Sequence, residues 1–134
     1  PATRYVASFV GSPPMNMLEA TVAEGIAHID GSLSGFALPA DIREKAGQAR
    51  DVVIGIRPES LSLAPAGDAA LGIDAMVEVV ELTGPELVVT STIGSQRLTA
   101  SLPPKSAVTA GMAQRFAIDA GALHIFDKAT GRRL

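Results

Sequence analysis

The chain has 134 residues, a formal net charge of −3 and no cysteine, so it can form one domain or two very small ones, without disulfides or thiolate metal sites. Its 11 basic residues do not cluster and only 4% of its residues are aromatic, which argues against nucleic-acid binding. No apolar run reaches the roughly 18 residues that a membrane helix needs, and no signal peptide opens the chain. We therefore expect a soluble, cytoplasmic chain, and its start at Pro1 suggests a fragment or a processed protein.

The opening stretch, RYVASFVGSPPMN, predicts a short helix within residues 1–12. Its apolar residues fall on one helical stripe, which consists of Tyr5, Val6, Phe9 and Val10. Gly11 then favours helix termination, and the two prolines that follow prevent continuation. Because so short a helix is unstable alone in water, we expect it to dock on another part of the protein.

Residues 16–66 predict a first β unit. The stretch LEATVAEGIAHI alternates loosely with a bend at Gly25, and FALP follows a turn as its partner strand. One helical turn is expected in ADIREKAGQAR. The next stretch, VVIGIRPESLSL, begins as a buried strand and breaks at Pro58.

Residues 72–134 predict a second β unit. In IDAMVEVVEL, a period of two places four side chains inward: Ile73, Ala75, Val77 and Val79. Turns are expected at TGPE, around Gly94 and Ser95, and at residues 120–122. Short strands at this spacing, with little helix, favour a small closed or partly closed β-barrel.

Motifs that carry catalysis or cofactor binding are missing from the sequence. It has no G-x-x-x-x-G-K-[ST] phosphate-binding loop, and the serines of GSLSG are misplaced for a nucleophile elbow. His28 and His124 lack the spacing of zinc ligands. Glu78 and Glu81 would point to opposite faces of a strand. We therefore predict that this segment is not an enzyme and holds no catalytic residue, cofactor or metal.

The stretch IGIRPESL is more distinctive, because Arg57 and Glu59 flank Pro58. The fixed φ and missing N–H of a proline end a strand, which leaves the two charges at its exit. Two interpretations stay open from the residues alone. The charges form a local surface salt bridge worth less than about 1 kcal/mol, or they pair with neighbouring loops or a partner subunit.

The chain carries four ordered stretches that together span nearly its whole length: RYVASFVGSPPMN, IGIRPESL, VEVVELTGPE and LHIFDKATGRRL. Together they resemble the C-terminal region of the ATP-binding subunits of bacterial ABC sugar importers, of the maltose- and glycerol-3-phosphate-importer type. One departure is Ser60, where this family often has histidine after R-P-E. That departure weakens any role for the side chain at this position.

The resemblance implies a mainly β, OB-fold-like (TOBE) regulatory domain over residues 1–134, with small barrels and a short N-terminal linking helix. It implies a homodimer that acts as a hinge, with ATP and magnesium bound by an upstream ATPase domain and membrane permease subunits contacted through that domain. It also implies a place at the inner membrane's cytoplasmic side. In some members of the family, this domain also receives inhibitory signals from a regulatory protein. The candidate interface and regulatory residues lie in the matching stretches: Arg57, Pro58, Glu59, Gly84, Glu86, His124, Phe126 and Asp127.

A sensor of small molecules, such as an oxyanion or a sugar, is the alternative interpretation. OB-like barrels often bind ligands at a strand face, and related TOBE-type folds bind oxyanions such as molybdate. The sequence shows no concentrated set of serines, lysines and turn amides that would hold an oxyanion. The regulatory interpretation is therefore preferred.

Overall fold

The computed structural model describes residues 14–32, 34–65, 67–68 and 71–134. The linking helix that the sequence predicts within residues 1–12 lies outside these ranges. Within them the chain is mainly β, as predicted, with a single short α-helix, Ala40–Ala46 (α1). This helix is the helical turn expected before Gly47, whose φ of +67° suits a glycine at a helix end.

The first sheet has five antiparallel strands. In spatial order they are His124–Asp127 (β10), Arg50–Ile56 (β4), Asn16–Ala23 (β1), Ile26–Ile29 (β2) and Gly35–Ala37 (β3). The predicted bend at Gly25 is the tight turn between β1 and β2.

The second sheet also has five antiparallel strands. In spatial order they are Leu61–Ala64 (β5), Ala113–Ile118 (β9), Gly72–Thr83 (β6), Glu86–Ile93 (β7) and Gln96–Leu102 (β8). The predicted turns after Thr83 and at Gly94 join the strands of this meander. The turn expected at residues 120–122 is a single turn of 3-10 helix, Ala120–Ala122, before β10.

The two sheets cut across the two β units that the sequence predicts. Strand β5 comes from the first unit but pairs with β9 in the second sheet. Strand β10 comes from the second unit but pairs with β4 in the first sheet. The units 16–66 and 72–134 therefore exchange one strand each, and β4, which leads into β5, connects the two sheets directly.

One inward-facing position in β6 was wrongly predicted. Ile73, Ala75 and Val77 are buried as the alternation requires, but Val79 is 45% exposed. A β-bulge between Val77 and Val79 shifts the register against β7, so that Val77 pairs with Ser91 and Val79 with Thr90. The extra residue of a bulge reverses the alternation beyond it, and Val80 packs against the core in place of Val79.

Both sheets contribute to one continuous apolar core. Its fully buried members include Leu18 and Ile54 from the first sheet and Val77, Leu98 and Phe116 from the second. Apolar area removed from water contributes about 25 cal/mol per Å², so the shared core holds the two sheets together as one unit. A smaller cluster of Met15 and Phe126 lies apart from it.

Side-chain amides also join the two sheets where β1 runs past β8. The Asn16 amide donates to the Ile56 carbonyl at 3.1 Å and the Thr99 carbonyl at 2.8 Å, and its oxygen accepts from the Thr99 N–H at 2.8 Å. The Gln96 side chain bonds both backbone groups of Glu19, at 2.7 and 3.0 Å. These bonds tie the backbone of β1 and β4 in the first sheet to β8 of the second.

Candidate functional site

The exit of strand β4 forms a sharp corner around Pro58. Arg57 is extended, with φ −72° and ψ 145°, and Pro58 then opens the single turn of 3-10 helix Pro58–Ser60. The Ser60 N–H donates to the Arg57 carbonyl at 3.0 Å, which fixes the corner before β5 begins. Pro58 is buried, Arg57 is half-buried and Glu59 is exposed, so the two charges stand on either side of an anchored ring.

His124 brings the start of β10 to the same corner. It pairs with Gly55 of β4, two residues before Arg57. Its Nδ1 atom is buried and has no hydrogen-bond partner in the described structure. Burial lowers the pKa of His124 below its ordinary 6.5, and the nearby positive charges of Arg133 and Arg57 lower it further. The imidazole is therefore neutral at pH 7.

Phe126 lies two residues further along β10 and is fully buried against Met15. It pairs with Val53 on one side and forms a bridge to Arg133 on the other. Its side chain does not reach the surface, so any influence it has on a partner would act through packing.

Asp127 ends β10 on the side away from the corner. Its carboxylate accepts from the Arg50 guanidinium at 3.0 Å and from the N–H groups of Ala129 and Thr130 at 2.9 and 3.1 Å. The pKa of Asp127 lies below its ordinary value because of the Thr130 N–H first, with the Ala129 N–H and the Arg50 charge adding to it. All these partners belong to the fold, which gives Asp127 a structural role.

Gly84 and Glu86 lie at the β6–β7 hairpin in the second sheet. Gly84 has a φ of +63°, a conformation that suits glycine in a tight turn. Glu86 accepts a hydrogen bond from the Ser101 hydroxyl at 2.6 Å. The structure thus gathers Arg57, Pro58, Glu59 and His124 at one corner and places Asp127 at the opposite end of β10. The roles of all the predicted residues remain predictions.

Metal-binding groups and cavities are the other features of the described residues that bear on chemistry. Within the described residues, no three acidic or histidine side chains are grouped so as to hold a metal ion. A cavity of about 500 Å³ lies between the turn at Gly31 and the turn at Gly94, with Ser32, Ser34 and Asp74 on its wall. The Asp74 carboxylate on the cavity wall already accepts hydrogen bonds from Ser34 and Arg115, at 3.0 and 3.1 Å. Its partners therefore come from the chain itself.

Sequence reasoning did not single out Asn16, Gln96 or Arg133. A lone amide in a strand carries no local signal, and only the pairing of β1 beside β8 shows what Asn16 and Gln96 do. Arg133 comes beside His124 because the C-terminal residues fold back along β10, with the Leu134 N–H donating to the Ile125 carbonyl at 2.8 Å.

Family models match both halves of the chain. Residues 54–126 match a model described as the TOBE domain, and residues 11–61 match one described as the MalK OB fold domain. The chain belongs to the TOBE domain family. The mainly β, OB-like architecture predicted from the resemblance is thereby confirmed.

Three relatives align with this TOBE-family chain over its whole length. They are a sulfoquinovosyl glycerol transport ATP-binding protein of Agrobacterium fabrum, a trehalose/maltose import ATP-binding protein of Thermococcus litoralis and an sn-glycerol-3-phosphate import ATP-binding protein of Jannaschia sp., which are 35%, 35% and 34% identical. The chain covers 37%, 38% and 36% of their lengths and aligns with their C-terminal part. It therefore spans little more than a third of the relatives that it matches.

A solved structure shares the fold of this TOBE-family chain. The cytoplasmic molybdate-binding protein ModG superposes with a TM-score of 0.61 at 17% identity, covering 82% of this chain and 94% of that one. At that identity the likeness extends to the fold alone. Among the described residues, no helix is both long and apolar enough to cross a membrane.

Proposed function

We propose that this chain is the non-catalytic regulatory and dimerisation domain of the ATP-binding subunit of an ABC-type carbohydrate importer. The observation that carries the proposal is the end-to-end match with the C-terminal part of ATP-binding proteins named for sugar and glycerol-phosphate transport, at 34–35% identity. As part of such a subunit, residues 1–134 would lie on the cytoplasmic side of the inner membrane.

The domain would act as a hinge, in which two copies stay in contact while their ATPase domains open and close. A contact that must persist through a cycle needs a closed, symmetric arrangement, in which each copy contributes the same surface. The second sheet and the turn before β9 leave large apolar side chains exposed that suit such a contact: Met76, Val79, Leu82 and Met112. Permease subunits would be reached through the ATPase domain, and a regulatory protein could bind the remaining surface.

The nucleotide chemistry would belong to the upstream ATPase domain, which would hold ATP and magnesium. We expect the 134-residue chain to show no saturable ATP binding by isothermal titration calorimetry, because its sequence has no phosphate-binding loop. Saturable binding at micromolar ATP would contradict this assignment.

The sensor interpretation has less support. The relatives are named for sugar transport rather than for oxyanion binding, and the molybdate-binding protein shares the fold at only 17% identity. A hydrogen-bonded, charged oxygen site would be needed to hold an oxyanion, and the described cavity near Ser34 has its carboxylate already bound by Arg115.

Self-association of the isolated chain tests the proposal. Only 4% of the residues are aromatic, and large aromatic anchors dominate tight interfaces. We therefore expect a weak homodimer, with a dissociation constant of about micromolar to sub-millimolar. Sedimentation equilibrium up to millimolar protein measures it. A strict monomer at every concentration would contradict the dimerisation role.

A further inference from the structure

The corner at Pro58 holds charges that no other described residue pairs. The three ion pairs of the described structure are Arg50–Asp127, Arg115–Asp74 and Lys128–Glu19, at 3.0, 3.1 and 2.8 Å. Among the described residues, Arg57 and Arg133 have no carboxylate within salt-bridge distance, and Glu59 has no basic group within that distance. The corner therefore presents both signs of charge, each without an ion-pair partner in the part of the chain that the structure describes.

The backbone explains why Arg57 and Glu59 do not pair with each other. Arg57 is extended, whereas Glu59 lies inside the 3-10 turn that the buried Pro58 opens. The buried ring is fixed between them, and no ion pair joins their side chains among the described residues. The salt bridge that the sequence alone left open is therefore not formed within one copy.

We propose that this corner is the polar contact of the homodimer, in which Arg57 of one copy pairs with Glu59 of the second copy, and Glu59 with Arg57 in return. The proposal rests on the dimerisation role given above and names the surface for it. A two-fold axis brings the same patch of both copies together, so a patch that carries one unpaired base and one unpaired acid is complementary to itself.

The surroundings of His124 support an incoming carboxylate. Arg133 and Arg57 both act on His124 without any carboxylate that offsets them, and burial adds to the lowering of its pKa. The local field is therefore positive even though the chain carries a net charge of −3. Glu59 of a second copy would neutralise part of this field at a half-buried site, where screening by salt is weaker than at a fully exposed one.

A second copy suits this corner better than a different acidic partner. A purely basic patch would call for a foreign anion, but Glu59 would repel such an anion from the adjoining surface. Copies that share the net charge of −3 repel each other at long range, and a self-complementary pair of contacts offsets that repulsion where the surfaces meet.

Charge reversal tests the pairing in the 134-residue chain. In Arg57→Glu and in Glu59→Arg, both symmetric contacts of the homodimer become like-charge pairs, so we expect each variant to dimerise about tenfold more weakly. The double variant Arg57→Glu/Glu59→Arg restores both contacts and should return the dissociation constant to within about twofold of the original. Arg97→Glu, an exposed change of equal charge on β8, is the matched control and should have little effect.

Mixing the two single variants gives the decisive result. In a heterodimer of Arg57→Glu with Glu59→Arg, both contacts again join opposite charges, so the equimolar mixture should associate about tenfold more tightly than either variant alone. Sedimentation equilibrium measures the association and circular dichroism checks the fold of each variant. If the original chain dimerises but neither reversal weakens it, or the mixture shows no recovery, this pairing is wrong while the dimerisation role stands. A strict monomer in the original chain instead contradicts the dimerisation role itself.

Discussion

The two ends of strand β10 differ in how their charges are satisfied. At one end, Asp127 accepts hydrogen bonds from Arg50, Ala129 and Thr130, all at 3.1 Å or less. At the other end, His124 has a buried ring nitrogen without a partner and lies beside arginines that no carboxylate pairs in the described structure. The first end is completed by the chain itself, and the second keeps the capacity to bind something else. One strand of four residues thus separates charges that build the fold from charges that are open to a partner.

Removing the apolar anchor of β10 should have the largest effect. Phe126 is fully buried against Met15, so Phe126→Ala should lower the free energy of unfolding by about 3–5 kcal/mol. Phe126→Leu, which keeps most of the apolar volume, should cost less. Urea denaturation measures both. If Phe126→Ala lowered the free energy of unfolding by less than about 1 kcal/mol, packing of Phe126 would not be important for the stability of the first sheet.

Removing the charge of Asp127 should destabilise the fold in a pH-dependent way. The pKa of this carboxyl is lowered in the folded chain, so its ionised form favours folding above the ordinary pKa of 3.8, and that contribution is lost as the pH falls through the lowered value. The stability difference between the original chain and Asp127→Asn should therefore shrink from pH 6 towards pH 2. Glu81→Gln, a change at an exposed carboxylate on β6, is the control and should change the free energy of unfolding by no more than about 0.5 kcal/mol.

Truncating the corner charges should leave the fold almost unchanged. Glu59 is exposed and Arg57 is half-buried, and neither makes an ion pair within the described chain. Arg57→Ala and Glu59→Ala should change the free energy of unfolding by no more than about 0.5 kcal/mol, while both weaken self-association. Chemical denaturation and sedimentation separate the two effects. If Glu59→Ala unfolded the chain, Glu59 would be needed for folding, as is expected of Asp127, and the prediction would be wrong.

The pKa of His124 should give the smallest and most local response. We expect it below 6.5 in the folded chain, because burial and then Arg133 and Arg57 disfavour the imidazolium. Arg57→Ala should raise this pKa only in part, since burial, the largest cause, remains. Nuclear magnetic resonance titration measures it, with Arg97→Ala as a control that should not move it. An unchanged His124 pKa in Arg57→Ala would show that the Arg57 charge does not act on His124.

The sign of the His124 shift also fixes its effect on stability. A lowered pKa in the folded state means that the unfolded chain takes up the proton more readily. The neutral His124 therefore does not reduce the free energy of unfolding above about pH 6.5. Below pH 6.5, the free energy of unfolding falls as the pH drops towards the lowered pKa of the folded state.

Local signals in the sequence predicted the turns and strand ends, because these depend on neighbouring residues alone. Gly25, Pro58 and Gly94 each end or turn a strand as expected. The exchange of β5 and β10 between the sheets could not be predicted, since a period of two shows which side chains share a face but not which strand pairs with which. The exposure of Val79 was missed for a related reason, because a bulge is set by the partner strand.

The candidate corner was predicted in part. The stretch from Arg57 to Glu59 could be singled out because proline between opposite charges is visible in the sequence. His124 and Arg133 lie at this corner because β10 pairs with β4 and the C-terminal residues fold back beside β10. These contacts join residues distant in sequence, so the sequence alone does not show them. The position of Asp127 at the opposite end of β10 likewise appears only in three dimensions.

Amide chemical shifts recorded over a dilution series would locate the self-association surface residue by residue. We expect the amides of residues 57–60 and 124 to shift together with protein concentration, with one dissociation constant, while those of residues 127–130 at the other end of β10 stay constant. Shifts at the Asp127 end, or shifts elsewhere that leave Arg57, Glu59 and His124 unmoved, would contradict the division of β10 into one end that builds the fold and one that meets a second copy.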